Sequence, residues 1–446
     1  MKTVKQIWEN WSQDHTIVRV LRNSGYLLFS NVFSVVQSVL TGRLLGIMGF
    51  GVIGTITTFA STLNRLFSFR MNELVVKYYG EAMEKQQPQR AAAIVKASLI
   101  AESVTAILSF VFCVLFAPYA ARTLADDPTL APQFILYGTI ILANIFMETT
   151  TGVLQVNGKF RIQAVITFIS NLFTALIIVW AYFNQGGLLE IVIAYMAGKF
   201  VLGIGTAIIG FKELRATLGK GWQHTSFSYL PPIKELAKFA FSTNISSTII
   251  MLVRDNEILW VAYFLTPLEA GYVKAALAII NFVQMPITPF ISTTYPEINR
   301  AITQRAWGKV KDLLRKVTTI SGVWTIGASI VLAIFGKWLL SIYGVDFIPA
   351  YQVMMIFLVG LGFANIFFWN RPLLLSLDMP LTPFRASLYS GIAKMALTVL
   401  LVPTLGLNVE AALLSAFFVI SIGIIVIKGW KEIEKREKLD AGESIA

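Results

Sequence analysis

Twelve predominantly apolar stretches, each longer than 20 residues, follow one another between residues 24 and 428 of this chain. About 20 residues of helix rise roughly 30 Å, the thickness of a bilayer's hydrocarbon core. A helix also satisfies its own backbone N–H and C=O groups, which crossing that core requires. The pattern predicts helices over 24–44, 48–79, 90–118, 131–156, 161–183, 188–211, 235–263, 267–295, 311–336, 347–376, 381–403 and 407–428. The longest connection between them, 212–234, is too short to fold as a separate domain. The expected fold class is an all-α polytopic membrane protein with about 12 transmembrane helices.

Composition agrees with that reading and removes others. Hydrophobic residues make up 56% of the chain and charged residues 14%, against roughly 25% charged in a soluble domain. A formal charge of +12 would suggest nucleic acid in a soluble protein. Here the basic residues sit in short loops between apolar segments, so no nucleic-acid partner is expected. Cys113 is the only cysteine, and the two histidines, His15 and His224, lie in polar segments. No disulfide framework, metal site or cofactor is therefore expected. Residues 1–22 mix polar and apolar types and do not read as a cleavable signal. Trp8 and Trp11 there suit a helix lying at the membrane surface.

The distribution of Lys and Arg sets an expected orientation. With the N-terminus in the cytoplasm, cytoplasmic loops and adjoining span ends carry 27 of the 37 basic residues. The outer loops carry three, Arg43, Arg122 and Lys337. Both termini are expected inside. The chain also matches itself at an offset of 220 residues, which lays spans two to six onto spans eight to twelve. Six helices followed by six in the same orientation imply a parallel repeat about an axis along the membrane normal. The resulting division is an interfacial segment 1–22, an N-lobe 23–211, a cytoplasmic linker 212–234, a C-lobe 235–428 and a basic cytoplasmic tail 429–446. Two such lobes argue for a transporter.

Seven cations remain inside spans: Arg65, Arg70, Lys199, Arg254, Lys274, Arg371 and Lys394. Leaving out carboxylates at span ends, they face Glu73, Glu102, Glu148, Asp255 and Glu257, for a net of about +2. A charge at the bilayer centre costs about 2.5–3.5 kcal/mol on insertion scales, so uncompensated cations suggest a function, most simply attraction of an anion. Polar residues recur at helical spacing beside them, as in Thr58, Thr62, Arg65, Ser68 and Asn72, or Ser98, Glu102, Thr105 and Ser109. Interhelical hydrogen bonding is one reading of such stripes; a hydrated cavity is the reading favoured by charged stripes in both lobes. Arg70 with Glu73, and Arg254 with Glu257, stand three residues apart and could form local ion pairs. Arg371 lies near a span end and could snorkel. Glu102, Glu148 and Asp255 are candidates either for balancing these cations or for carrying a coupling proton or sodium ion. Pro286 and Pro289 predict a bend in the eighth span.

Several segments resemble one family. They are GRLLGIMGFGVIG (Gly42–Gly54), LQVNGKFR (Leu154–Arg161), EAGYVKAA (Glu269–Ala276), YPEINR (Tyr295–Arg300) and LVPTLGLNVEAALLSA (Leu401–Ala416). In their order and twelve-span layout they resemble the polysaccharide-export branch of the multidrug/oligosaccharidyl-lipid/polysaccharide exporter superfamily. Val409 and Glu410 stand where that last turn usually has Gly and Ala. The resemblance implies two six-helix lobes around a central cationic cavity working by alternating access. It also implies a flippase that moves an undecaprenyl-diphosphate-linked oligosaccharide to the outer leaflet of a bacterial or archaeal cytoplasmic membrane, as in O-antigen and lipopolysaccharide assembly. A polysaccharide polymerase is a possible partner. The candidate substrate cations are then Arg65, Arg70, Lys199, Arg254, Lys274 and Lys394, and no enzymatic activity is expected. The competing readings are a multidrug exporter of the same fold, for which an acidic first span would be expected, a membrane polymerase or ligase, and a scaffold of an assembly complex.

Overall fold

The computed structural model describes the backbone of residues 15–237, 239–240, 248 and 251–442, and side chains from residue 33 onward except at 289, 292 and 293. Trp8, Trp11, the Asn31 side chain and much of the first half of the seventh span lie outside the described residues. Every described regular element is helical, and ten of the helical segments are long and apolar enough to cross a membrane. The chain is an all-α, multi-pass membrane protein. Large apolar side chains such as Leu115, Phe183, Ile334 and Leu400 stand exposed on the spans, as a lipid-facing surface requires. Inward positions favour small residues: the third span, Pro88–Leu124, buries seven alanines. Small side chains let helix backbones approach where no hydrophobic force pulls helices together. Gly360 shows the limit of this packing, since a Cβ there would sit 2.4 Å from the Cα of Ser415.

The chain divides into two compact units, Arg22–Met251 and Leu252–Ala446. In the first, one helical stretch, His15–Phe67, holds spans one and two, broken where Gly46 adopts φ 67° and ψ 179°. Only glycine enters that region without strain. The second span does not run unbroken to residue 79. It stops at Phe67, turns through Ser68–Arg70 with Arg70 left-handed at φ 54°, and restarts at Met71. The fourth span is likewise interrupted, at residues 144–146, and restarts as Met147–Val156. Spans three, five and six are continuous over Pro88–Leu124, Phe160–Phe183 and Leu188–Leu218.

The second unit shows the same pattern. Its eighth span changes from Pro267–Gln284 through a tight turn at Met285–Ile287 to Thr288–Thr303, as Pro286 and Pro289 lead one to expect. Its tenth is interrupted at 367–369, between Ala350–Ile366 and Asn370–Ser376. An offset of 220 residues carries the breaks of spans two and four to 288–290 and 364–366, within a few residues of these two. Spans nine and eleven are continuous over Trp307–Ser341 and Leu381–Leu405. The twelfth continues from Leu407 to Asp440. Its last turns dock on the start of the ninth span: Asp440 accepts from Arg305 at 2.9 Å and from the Trp307 indole at 2.7 Å, and Lys311 pairs with Glu437.

Candidate functional site

Each interrupted span leaves backbone groups without helical partners, and inside a membrane such groups must be satisfied by protein. In the first unit two carboxylates do this. Buried Glu102, from the third span, accepts from the backbone N–H groups of Glu148 at 2.7 Å and Thr149 at 3.0 Å. These are among the first donors of the restarted fourth span. Glu148 then accepts from the backbone N–H of Met71 at 2.8 Å and from the Ser68 hydroxyl at 2.6 Å, at the restart of the second span. Carboxylates at helix N-termini also meet the positive end of the helix dipole. The carboxyl groups of Glu102 and Glu148 thus face backbone donors, where the sequence suggested Arg and Lys partners. The left-handed Arg70 pairs with Glu73 at 3.4 Å, and both are exposed.

The second unit solves the complementary problem with side-chain donors. Near the turn at Pro286, the Val283 carbonyl accepts from the Trp324 indole at 2.8 Å and the Asn365 amide at 3.4 Å. Beside the other break, Ser321 donates to the Ile366 carbonyl at 2.8 Å, and the Trp369 indole to the Thr318 hydroxyl at 2.7 Å. The two breaks of the first unit are thus held by acids on N–H groups, and those of the second by neutral side-chain donors.

Two of the sequence-selected cations come together. Arg65, near the end of the second span's first segment, and Lys199, in the middle of the sixth, are both exposed. The charge of Arg65 acts on the Lys199 ammonium. An exposed charge on an apolar span cannot face acyl chains at tolerable cost, so the pair marks a polar face of the first unit. Arg254 is exposed and pairs with its neighbour Asp255 at 2.9 Å, in a wide helical turn at Met251–Asp255. Its alternative partner Glu257 points elsewhere. Lys274 is half-buried on the eighth span. Arg371 is exposed at the restart of the tenth.

Lys394 is not an exposed cation. Its ammonium donates to Glu257 at 2.6 Å and to Glu410 at 2.5 Å, and Thr398 donates to the second oxygen of Glu410 at 2.8 Å. Lys394, Glu257 and Glu410 are at most 3% exposed. The triad joins spans seven, eleven and twelve within the second unit, and its ammonium lies between two carboxylates. Glu410 was passed over in the sequence because it stands four residues into a span, among the end carboxylates left out of the charge count. The available signal was its nearness, across a short turn, to a lysine in the middle of the preceding span. Among the described residues no cluster of three or more His, Cys, Asp or Glu could hold a metal ion.

The first unit thus carries two broken spans and exposed cations, and the second two broken spans and a buried charge cluster. The family model described as "Polysaccharide biosynthesis protein" matches residues 20–302, more than half of the chain, and the chain belongs to that family. The inner membrane protein YghQ of Escherichia coli (strain K12) is 26% identical over 354 residues, covering 78% of this chain and 98% of YghQ. Among solved structures, the inward-facing form of a multidrug-resistance MATE transporter of the MOP superfamily superposes with a TM-score of 0.74 at 12% identity, covering 92% of this chain and 96% of that one. The lipid II flippase MurJ in an inward closed conformation gives 0.70 at 15% identity, covering 94% and 90%. A MOP-superfamily transporter from Pyrococcus furiosus, described by the reverse polarity of its binding pocket, gives 0.63 at 12% identity, covering 93% and 95%. The chain shares its fold with these three solved structures.

Proposed function

We propose that this protein is a flippase that carries a prenyl-diphosphate-linked oligosaccharide from the cytoplasmic to the outer leaflet. The observation that carries the reading is the Arg65–Lys199 pair. Two like charges that act on each other within one unit would both be stabilised by an anion bound between them. A diphosphate supplies at least two negative charges over a short distance and accepts charge-assisted hydrogen bonds from both arginine and lysine. Family membership in polysaccharide biosynthesis and the likeness to a lipid II flippase support a lipid-linked glycan over other anions. In this reading the prenyl tail stays in lipid and the cations are exposed alternately to the two membrane faces. Both termini are cytoplasmic, as the 27-to-3 division of basic residues implies. Arg70, Arg254 and Lys274 are secondary candidates for the proximal sugars and phosphates. Lys394, sealed between two carboxylates, serves the fold of the second unit.

The test is a leaflet-accessibility assay in proteoliposomes with a labelled undecaprenyl-diphosphate oligosaccharide. Protein-dependent flipping that falls in folded Arg65→Ala and Lys199→Ala variants is the expected result. Absence of flipping with several such lipids, together with transport of soluble cations, would transfer the protein to the drug-exporter class.

A further inference from the structure

The Lys394 cluster has one carboxylate too many. Two glutamates meet one ammonium, and all three side chains are shielded from solvent. Glu410 is fully used, one oxygen on Lys394 and the other on Thr398. Glu257 spends one oxygen on Lys394, and its second, Oε2, is buried without a hydrogen-bond partner among the described residues. An ionised carboxylate oxygen left in that position is strongly disfavoured; a buried excess charge is ordinarily neutralised. Glu257 and Glu410 also lie within hydrogen-bonding reach of each other. A proton on Glu257 Oε2 would remove the excess charge and supply the missing hydrogen bond at once.

We propose that Glu257, Lys394 and Glu410 form a proton-binding site that holds one exchangeable proton between the two carboxyl groups. Its ligand is the proton and not a metal cation. The ammonium already occupies the place between the carboxylates that sodium would need, at 2.6 and 2.5 Å from their oxygens. The electrostatic partners of Glu257 are Lys394 and Glu410, and those of Lys394 are the same two acids. Arg254 and Asp255, just before Glu257, pair with each other. The eighth span carries Glu269, Tyr272 and Lys274 and the tenth Arg371. Because the triad ties spans seven, eleven and twelve together, loss of the proton sets two carboxylates against each other at their junction. Proton occupancy thereby governs the packing of those three spans. The inference holds whatever substrate the first unit carries.

Difference infrared spectroscopy of the purified full chain in lipid, taken across a pH series and repeated in heavy water, reads the proton directly. Wild type is expected to show a protonated-carboxyl band that shifts in heavy water and vanishes as pH rises. The band should be lost in Glu257→Gln, whose amide reproduces the protonated acid, and retained in Glu102→Gln. Thermal stability of the wild type should fall over the pH range in which the band disappears, while Glu257→Gln stays level. Glu410→Gln provides the same infrared comparison should Glu257→Gln not fold. Absence of the band at every pH, or its survival in both Glu257→Gln and Glu410→Gln, would overturn the proposal. Displacement of the band by sodium but not by choline would overturn the exclusion of metal cations.

Discussion

Removing the Lys394 ammonium tests how the second unit is held together. At an effective dielectric of about 20, each contact near 2.6 Å has a gross attraction of about 6 kcal/mol. Most of that offsets the cost of burying the charges and does not appear as net stability. The situation changes when only one partner is removed. In Lys394→Ala the desolvation cost of Glu257 and Glu410 remains and the attraction is gone, which costs about 3–5 kcal/mol. A unit the size of 252–446 unfolds with an entropy of about 0.4 kcal/mol/K, so the melting temperature should drop by roughly 7–12 °C. The assay is thermal unfolding in detergent followed by tryptophan fluorescence, at a pH above that at which the shared proton is lost. The triple variant Lys394→Met, Glu257→Gln, Glu410→Gln removes all three charges and should recover most of the loss. A shift in Lys394→Ala corresponding to less than about 1 kcal/mol, or a triple variant as damaged as the single one, would show that the ammonium does not hold the two carboxylates in place.

Other consequences follow from the same contacts. Glu102→Ala leaves the N–H groups of Glu148 and Thr149 buried without an acceptor, at about 1–3 kcal/mol each. Faster hydrogen exchange confined to Met147–Val156 would register it, with Glu102→Gln milder. Gly360→Ala places a methyl 2.4 Å from the Ser415 Cα, where backbone must move. Folded yield in detergent should fall sharply, whereas Gly423→Ala, which meets nothing within 4 Å, should be tolerated. Asp440→Ala removes the acceptor for Arg305 and Trp307, a partly exposed contact worth about 1 kcal/mol. Limited proteolysis should then trim the end of the twelfth helix earlier.

The membrane class and span positions were legible because bilayer thickness imposes a length that apolar runs display directly. The Pro286 bend was legible because proline lacks the donor and marks the place. The breaks at 68–70 and 144–146 were not, because neither carries proline or glycine. Their trace is indirect: Glu102 and Glu148 stand in apolar spans because interrupted neighbouring helices need acceptors. Spacing gave the charges but not their partners. Arg254 and Glu257 share a helical spacing, yet the wide turn at Met251–Asp255 directs Arg254 to Asp255 and leaves Glu257 for Lys394, 137 residues away. Lys394 therefore reads as a cavity cation in the sequence, whereas the fold buries it between two carboxylates. Arg65 and Lys199 belong to spans two and six, and only the folded unit shows that their charges adjoin.

On the proposed function, Arg65 and Lys199 together recognise a diphosphate. The most direct measurement is the affinity of purified protein in lipid nanodiscs for an undecaprenyl-diphosphate oligosaccharide, compared with a neutral lipid bearing the same glycan. A charge-assisted hydrogen bond contributes about 1.5–3 kcal/mol, so Arg65→Ala and Lys199→Ala should each weaken binding of the diphosphate lipid by roughly 10- to 150-fold. Binding of the neutral lipid should be unchanged in both. Unaltered affinity for the diphosphate lipid in both folded variants would contradict the account.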